Sequence, residues 1–270
     1  MNKPDPRDAG LGALAAAAVG VLAWRSAATI GACAVTPLQA PDGRPVVTST
    51  LAMIGKMRRI AADPHVALAA GGIFLQATAL LQIDRDGTGS ARALLAQEAE
   101  KFAPTRHLSA IPGHRRWLPW YFGRVIATLT PTLVIDDAGS DGTVLVTLRQ
   151  DKPWITSLPA RTDLFDARPG DRLHLPEIDA ADGPAILLAH QENQAMTALA
   201  QRRISGRLRG GVLQVERRSG SLNPTAPGLL TQLRELRALR RKAAASTVEL
   251  DHLTEAIAQR WTADRINPTH

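Results

Sequence analysis

The stretch Arg44-Pro-Val-Val-Thr-Ser-Thr50, followed after five residues by Lys56-Met-Arg-Arg-Ile-Ala-Ala-Asp-Pro64, decides the fold. Its first part is β-branched and ends in hydroxyls. Its second part has the content of a short helix, closed at Asp63 because a proline disfavours helix in the residue before it. A strand end that meets a helix start in this way gathers hydroxyls, free backbone N–H groups and a lysine point charge within one helical turn, and all three favour a phosphate dianion. Taken alone, the same pattern also describes a solvated basic turn.

Working outward, residues 11–23 read as a short helix running into a strand, and residues 30–38 as a strand. Ala40-Pro-Asp-Gly-Arg-Pro45 is a reversal rich in turn formers, and residues 46–51 are the returning strand. Downstream, residues 65–70 and 73–83 are strands around Gly71-Gly72, the second ended by Asp84-Arg-Asp-Gly87. Ser90 is placed to cap a helix through Phe102, and residues 104–119 read as a loop with the basic centre His114-Arg-Arg116. Residues 123–135 and 142–148 carry the β-branched content of strands, separated by the turn chemistry of Asp136-Asp-Ala-Gly139.

These elements predict a barrel of six strands occupying residues 1–160. Residues 161–225 are expected to be a Pro-, Asp- and Gly-rich linker and a small appended β unit, with strands at 185–189 and 211–215 around Arg202, Arg203, Arg207 and Arg209. Residues 226–270 are expected to be a helical tail, because Leu229, Leu233, Leu236 and Leu239, and then Leu250, Leu253, Ile257 and Trp261, recur three or four apart. No internal repeat is visible.

The chain has 270 residues, 45% of them hydrophobic, enough for a sizeable core. Its one cysteine, Cys33, excludes an internal disulfide and suits a reducing, cytoplasmic setting. The uncharged stretch 9–24 is too short to span a bilayer comfortably, and the acidic residues in the leader argue against a secretion signal. The formal charge of +7 is concentrated in the first half: residues 1–135 hold 14 Lys and Arg against 8 Asp and Glu. No dinucleotide or Walker glycine motif occurs, and the scattered histidines show no metal-ligand spacing.

The segment 19–148 resembles the FMN-binding split-barrel superfamily, whose namesake is pyridoxamine 5'-phosphate oxidase. The resemblance rests on Val47-Thr-Ser-Thr50, on Lys56 to Leu68 with its Asp-Pro helix end, and on Phe74-Leu-Gln-Ala-Thr-Ala79, in that order. It implies a mainly β, α+β fold with a six-stranded split β-barrel, short flanking helices, a small appended β unit and a C-terminal helix. It implies further that Thr50 and Lys56 hold the FMN phosphate, that Ser49 lies along the cofactor chain and that Gln76 approaches the ring. The strand Cys33–Leu38, including Thr36, would line the ring face, with Arg58 or Arg59 supplying a cation there.

If the chain is an enzyme, the resemblance makes it a flavin-dependent oxidoreductase, and a homodimer because that family seats its flavin between two subunits. The substrate and any catalytic acid or base are not legible. Alternatives are a non-catalytic protein that stores or senses flavin, the deazaflavin coenzyme F420 or haem, the last with His65 as axial ligand. A further alternative is a basic, nucleic-acid-associated regulatory protein using Arg234 to Lys242, although arginines on a leucine-bearing helix usually form a solvated face. No membrane partner is expected. Arg172-Leu-His174 echoes the pyridoxal-binding pair of the true oxidase without its flanks, so vitamin chemistry is not expected. Trp117, Trp120, Tyr121 and Phe122 read as a hydrophobic cap or a dimer contact.

Overall fold

The computed structural model describes residues 6–27, 29–137, 142–159, 162–175, 178–193, 195–224 and 229–266. After helix α1 (Pro6–Ala16), the first unit runs through β1 (Gly20–Ser26), β2 (Thr29–Val35), β3 (Leu38–Gln39) and β4 (Pro45–Thr50). Helix α2 (Gly55–Ala62), β5 (His65–Ala70) and β6 (Ile73–Asp84) follow. Four helices, α3 (Ala91–Lys101), α4 (Ala103–Ser109), α5 (His114–Trp117) and α6 (Pro119–Phe122), then lead into β7 (Arg124–Asp136). The resulting antiparallel sheet has the order β2-β1-β5-β6-β7-β4-β3, so the expected six-stranded unit is present with β3 as a two-residue extension. The fold is mainly β in the α+β class, as expected.

The second unit is where sequence and structure part. The strand expected at 142–148 was to complete the first barrel, yet as β8 (Thr143–Arg149) it opens a second sheet with β9 (Lys152–Ser157), β10 (Arg172–His174), β11 (Gly183–Glu192), β12 (Leu199–Arg209) and β13 (Val212–Gly220). Its order is β9-β8-β11-β12-β13-β10. Strand for strand, in chain order and in sheet order, this is the first unit again: β8 stands for β1, β9 for β2, β10 for β4 and β11 to β13 for β5 to β7. The appended β unit is therefore a second copy of the topology, and residues 161–225 are its body rather than a linker.

Details of the two hairpins match as well. Both β1 and β8 are seven residues long. The turn after each holds a non-glycine residue in the left-handed region, Ala27 (φ 49°) in the first and Gln150 (φ 51°) with Asp151 (φ 61°) in the second. That backbone suits the twist of a two-residue hairpin.

The alternation of side chains along a strand explains how the units join. On β1, Leu22 and Trp24 point into the first unit's own core with Val66, Leu68 and Leu75, while Val21 and Ala23 point the other way. On β8, Leu145 enters the second unit's core with Leu187, Ile204 and Phe165, while Val144 and Val146 face outward. The outward sets meet: Val21, Ala23, Ala32 and Ala67 pack on Val144, Val146, Ile155 and Leu188 as a third core between the sheets. Strands buried on both faces read as unbroken apolar runs, which is why this stretch gave no clue to which sheet it joins.

Two further features complete the first unit. The segment expected as a loop at 104–119 is helical, and it covers a buried polar network. There Arg124, 1% exposed, donates through Nη2 to both oxygens of Glu98 at 3.1 and 3.3 Å. The Thr105 hydroxyl donates to Glu98 Oε1 at 2.8 Å and meets the Tyr121 hydroxyl at 3.0 Å. Burial pushes the Tyr121 phenol above its ordinary value.

The tail is two helices, α7 (Leu229–Ala245) and α8 (Thr247–Ile266). Leu250 and Leu253 of α8 are buried against Met57 and Ile60 of α2 in the first core. The side chains of Leu229, Leu233 and Trp261, part of the predicted leucine pattern, lie outside the described residues. None of the described helices is long and apolar enough to cross a membrane.

Candidate functional site

Because β2 and α2 border one end of the first unit and the second unit packs across β1 and β2, a cleft of about 480 Å3 opens where the units meet. The first unit contributes Trp24, Cys33, Met53, Lys56 and Arg59 to it. The second contributes Gln201 and Arg203 of β12 and the end of β13, and α7 adds Lys242.

Each side chain is placed by a local reason. Trp24 lies across the hairpin on Gly31, where a Cβ would fall 2.3 Å from its ring, so the glycine makes the slot for the indole. Lys56 sits in the first turn of α2, whose Met57 and Ile60 are buried, and this holds Lys56 and Arg59 toward the cleft mouth. The Lys56 ammonium approaches Cys33 Sγ at 3.9 Å. The Ala34 backbone N–H donates to Gln201 Oε1 at 2.8 Å, which ties the two walls together across β2 and β12.

The charge of the cleft is one-sided. Among the described residues, no ion pair involves Lys56, Arg59, Arg203 or Lys242, and no carboxylate lines the cleft. The indole N–H of Trp24, a residue 4% exposed, is buried without a hydrogen-bond partner. Buried donors are nearly always satisfied; the indole N–H of Trp24 shares this lack of a hydrogen-bond partner with one atom each of Trp120, Thr156, His190 and Arg202 among the described residues.

Of the residues singled out in the sequence, Lys56 lines this cleft and Arg59, offered as an alternative to Arg58, joins it. Arg58 turns away to Glu249 of α8, 3.0 Å distant. The Ser49 hydroxyl donates to the Met53 carbonyl at 2.7 Å and fixes the turn between β4 and α2. Thr50 ends β4 opposite Arg124, and Thr36 follows β2 half-buried; neither lines the cleft. Gln76 donates to the Pro153 carbonyl of β9 at 3.1 Å, where it joins the two units. His65 is held by Asp63 at 2.9 Å. Arg172-Leu-His174 forms the edge strand β10.

Trp24, Gln201, Arg203 and Lys242 were not foreseen as neighbours of Lys56, although Arg203 and the run ending at Lys242 were noted for their charge; β1, β12 and α7 bring them together only in the folded chain. On α7, Arg234, Arg237, Arg240 and Arg241 share a separate hollow, and Lys242 alone of that basic run reaches the cleft.

No family model matches the chain, and no curated protein matches it. Solved structures with some likeness include a Listeria innocua protein named after pyridoxamine 5'-phosphate oxidase, 19% identical, covering 50% of this chain and 100% of that one at a TM-score of 0.34. General stress protein 26 of Bacillus anthracis is 15% identical, covering 47% and 91% at 0.32. A haem-binding protein of Mycobacterium smegmatis is 16% identical, covering 91% and 100% at 0.35. Likenesses of this degree assign neither cofactor nor activity to the chain.

Proposed function

We propose that the chain binds a phosphate-bearing cofactor of the flavin class, FMN, in the cleft between its two units. The observation that carries the reading is the pair Lys56 and Arg59 of α2 at the mouth of a cleft lined by no acid, with an orphaned indole N–H in its wall. Lys56 and Arg59 would hold the phosphate, and Trp24 would donate to a polar edge of the ring. Met53 offers the ring apolar surface. Bound flavin would supply hydride chemistry, which makes an oxidoreductase the natural activity if the chain is an enzyme. The lining contains no histidine, which favours a phosphate-bearing ring over an iron porphyrin seeking an imidazole ligand. Deazaflavin shares the phosphate chemistry and remains the alternative of the same class.

Absorbance of the purified protein separates flavin, deazaflavin and haem, and an NADPH-oxidation assay separates enzyme from carrier. Replacing Lys56 with alanine is expected to weaken FMN binding by about 1.5 to 3 kcal/mol, roughly ten- to a hundredfold, with the unfolding midpoint unchanged. Equal FMN affinity in the two proteins would remove Lys56 from the site.

The duplicated fold also sets a stoichiometry. The resemblance implies that another subunit supplies the second wall of the site, whereas in this reading the chain itself would supply it. The mate of this cleft under the repeat would lie between β9 and the ends of β6 and β7, and Trp154 stacks there on Phe74 with ring centroids 4.6 Å apart. No helix equivalent to α2 stands between β10 and β11 among the described residues. One cofactor per chain is the expected titration endpoint; two equivalent sites would contradict it.

A further inference from the structure

We infer that Arg203 and Lys242 receive a second anion, the carboxylate or phosphate of a co-substrate bound beside the cofactor. The inference rests on the cofactor reading above. The balance of charge within the cleft points to it.

Several cations facing elsewhere are paired, among them Arg25 with Asp63, Arg58 with Glu249, Arg85 with Asp251, Arg124 with Glu98 and Arg149 with Asp179. Arg202 makes the same point within one strand, because it reaches Asp166 at 3.7 Å and the Phe165 carbonyl at 3.2 Å, while its neighbour Arg203 on the opposite face turns into the cleft with no described partner. Residues two apart share a strand face, so Gln201, fixed to the Ala34 N–H, sets the direction in which Arg203 projects. Lys242 comes to the same wall from α7.

A phosphate monoester carries a charge of about −1.5 to −2 near neutral pH, which two cations balance. Lys56 and Arg59 on α2 suffice for that, and a surplus of two positive charges remains on the second unit's side. A cleft lined by one sign of charge concentrates counter-ions, and the surplus therefore selects an anionic second ligand over a neutral one. The tail helix is in this way a determinant of which co-substrate enters.

The test uses the full chain with inorganic pyrophosphate as the probe, followed by equilibrium dialysis in the presence of saturating FMN. Wild-type protein is expected to bind pyrophosphate with FMN in place. The double variant Arg203→Gln, Lys242→Gln should lose at least tenfold in pyrophosphate affinity while its FMN affinity stays within threefold. Displacement of FMN by pyrophosphate mole for mole would overturn the inference, because the cleft would then hold a single anion. So would equal pyrophosphate binding by wild type and double variant. If FMN does not bind at all, the cofactor reading falls by itself; pyrophosphate binding by the apoprotein that survives Lys56→Ala but not the double variant would still support the second anion site.

Discussion

Replacing Glu98 with alanine is expected to destabilise the protein by about 3 to 5 kcal/mol, because it strands a buried guanidinium without its counter-charge. Arg124 is 1% exposed and its side chain has no acid other than Glu98 in a described ion pair. Thr105 loses its acceptor in the same change, and Thr48, whose hydroxyl lies 3.4 Å from Glu98 Oε2, loses a weaker contact. Urea unfolding reads the effect as a lower midpoint with an unchanged slope. The paired change Glu98→Leu with Arg124→Met removes both charges and should be milder than the sum of the single losses, since the residues share one network. A midpoint within error of wild type for Glu98→Ala would mean that water reaches Arg124 after all.

Truncating Leu253 to alanine is expected to cost about 2 to 5 kcal/mol, the range for a leucine removed from a packed core. Leu253 is 2% exposed and, with Leu250, packs on the buried face of α2. The ion pairs Arg58–Glu249 and Arg85–Asp251 beside it are half-exposed and contribute little on their own. Since α2 also carries Lys56 and Arg59 to the cleft, the same change should also weaken FMN binding. Reduced stability with FMN affinity untouched would show that α2 keeps its place without α8. Burial of Leu250 and Leu253, together with the reach of Lys242 into the cleft, makes the tail part of both the first core and the cleft wall.

The first unit was largely legible because its signals are local. Gly71-Gly72 between two apolar runs, Asp63-Pro64 at a helix end and the turn at 40–45 each act on their immediate neighbours, and β5 and α2 fall within a residue of where these place them. The second unit was not legible, because membership of a sheet is decided by which apolar faces meet. The set Val144, Val146 and Ile155 alternates as well for one sheet as for the other. Strand β12 was hidden further by Arg202, Arg203, Arg207 and Arg209, which mask the inward alternation of Ile204 and Leu208. The repeat itself left only traces in sequence, such as Val21-Leu22 against Val144-Leu145, because each unit conserves a pattern of faces rather than particular residues. For the site, cationic chemistry at α2 was readable; the opposing wall depends on contacts across more than 140 residues and had no local signature.

Carrying both walls of the cleft on one polypeptide changes how the cleft responds to dilution. A pocket shared by two separate subunits dissolves as the concentration falls below the dissociation constant of the pair, so its ligand affinity depends on the amount of protein present. Here the walls are joined by the short segment between β7 and β8, and the covalent link holds each at an effective concentration in the millimolar range for the other. Nor does a substitution have to be tolerated twice, as it must when a twofold axis copies it to both ends of a dimer. The two ends differ, one carrying the lysine-bearing α2 and the other Trp154 stacked on Phe74, and the cleft should stay assembled at nanomolar protein concentration, where a shared one would come apart.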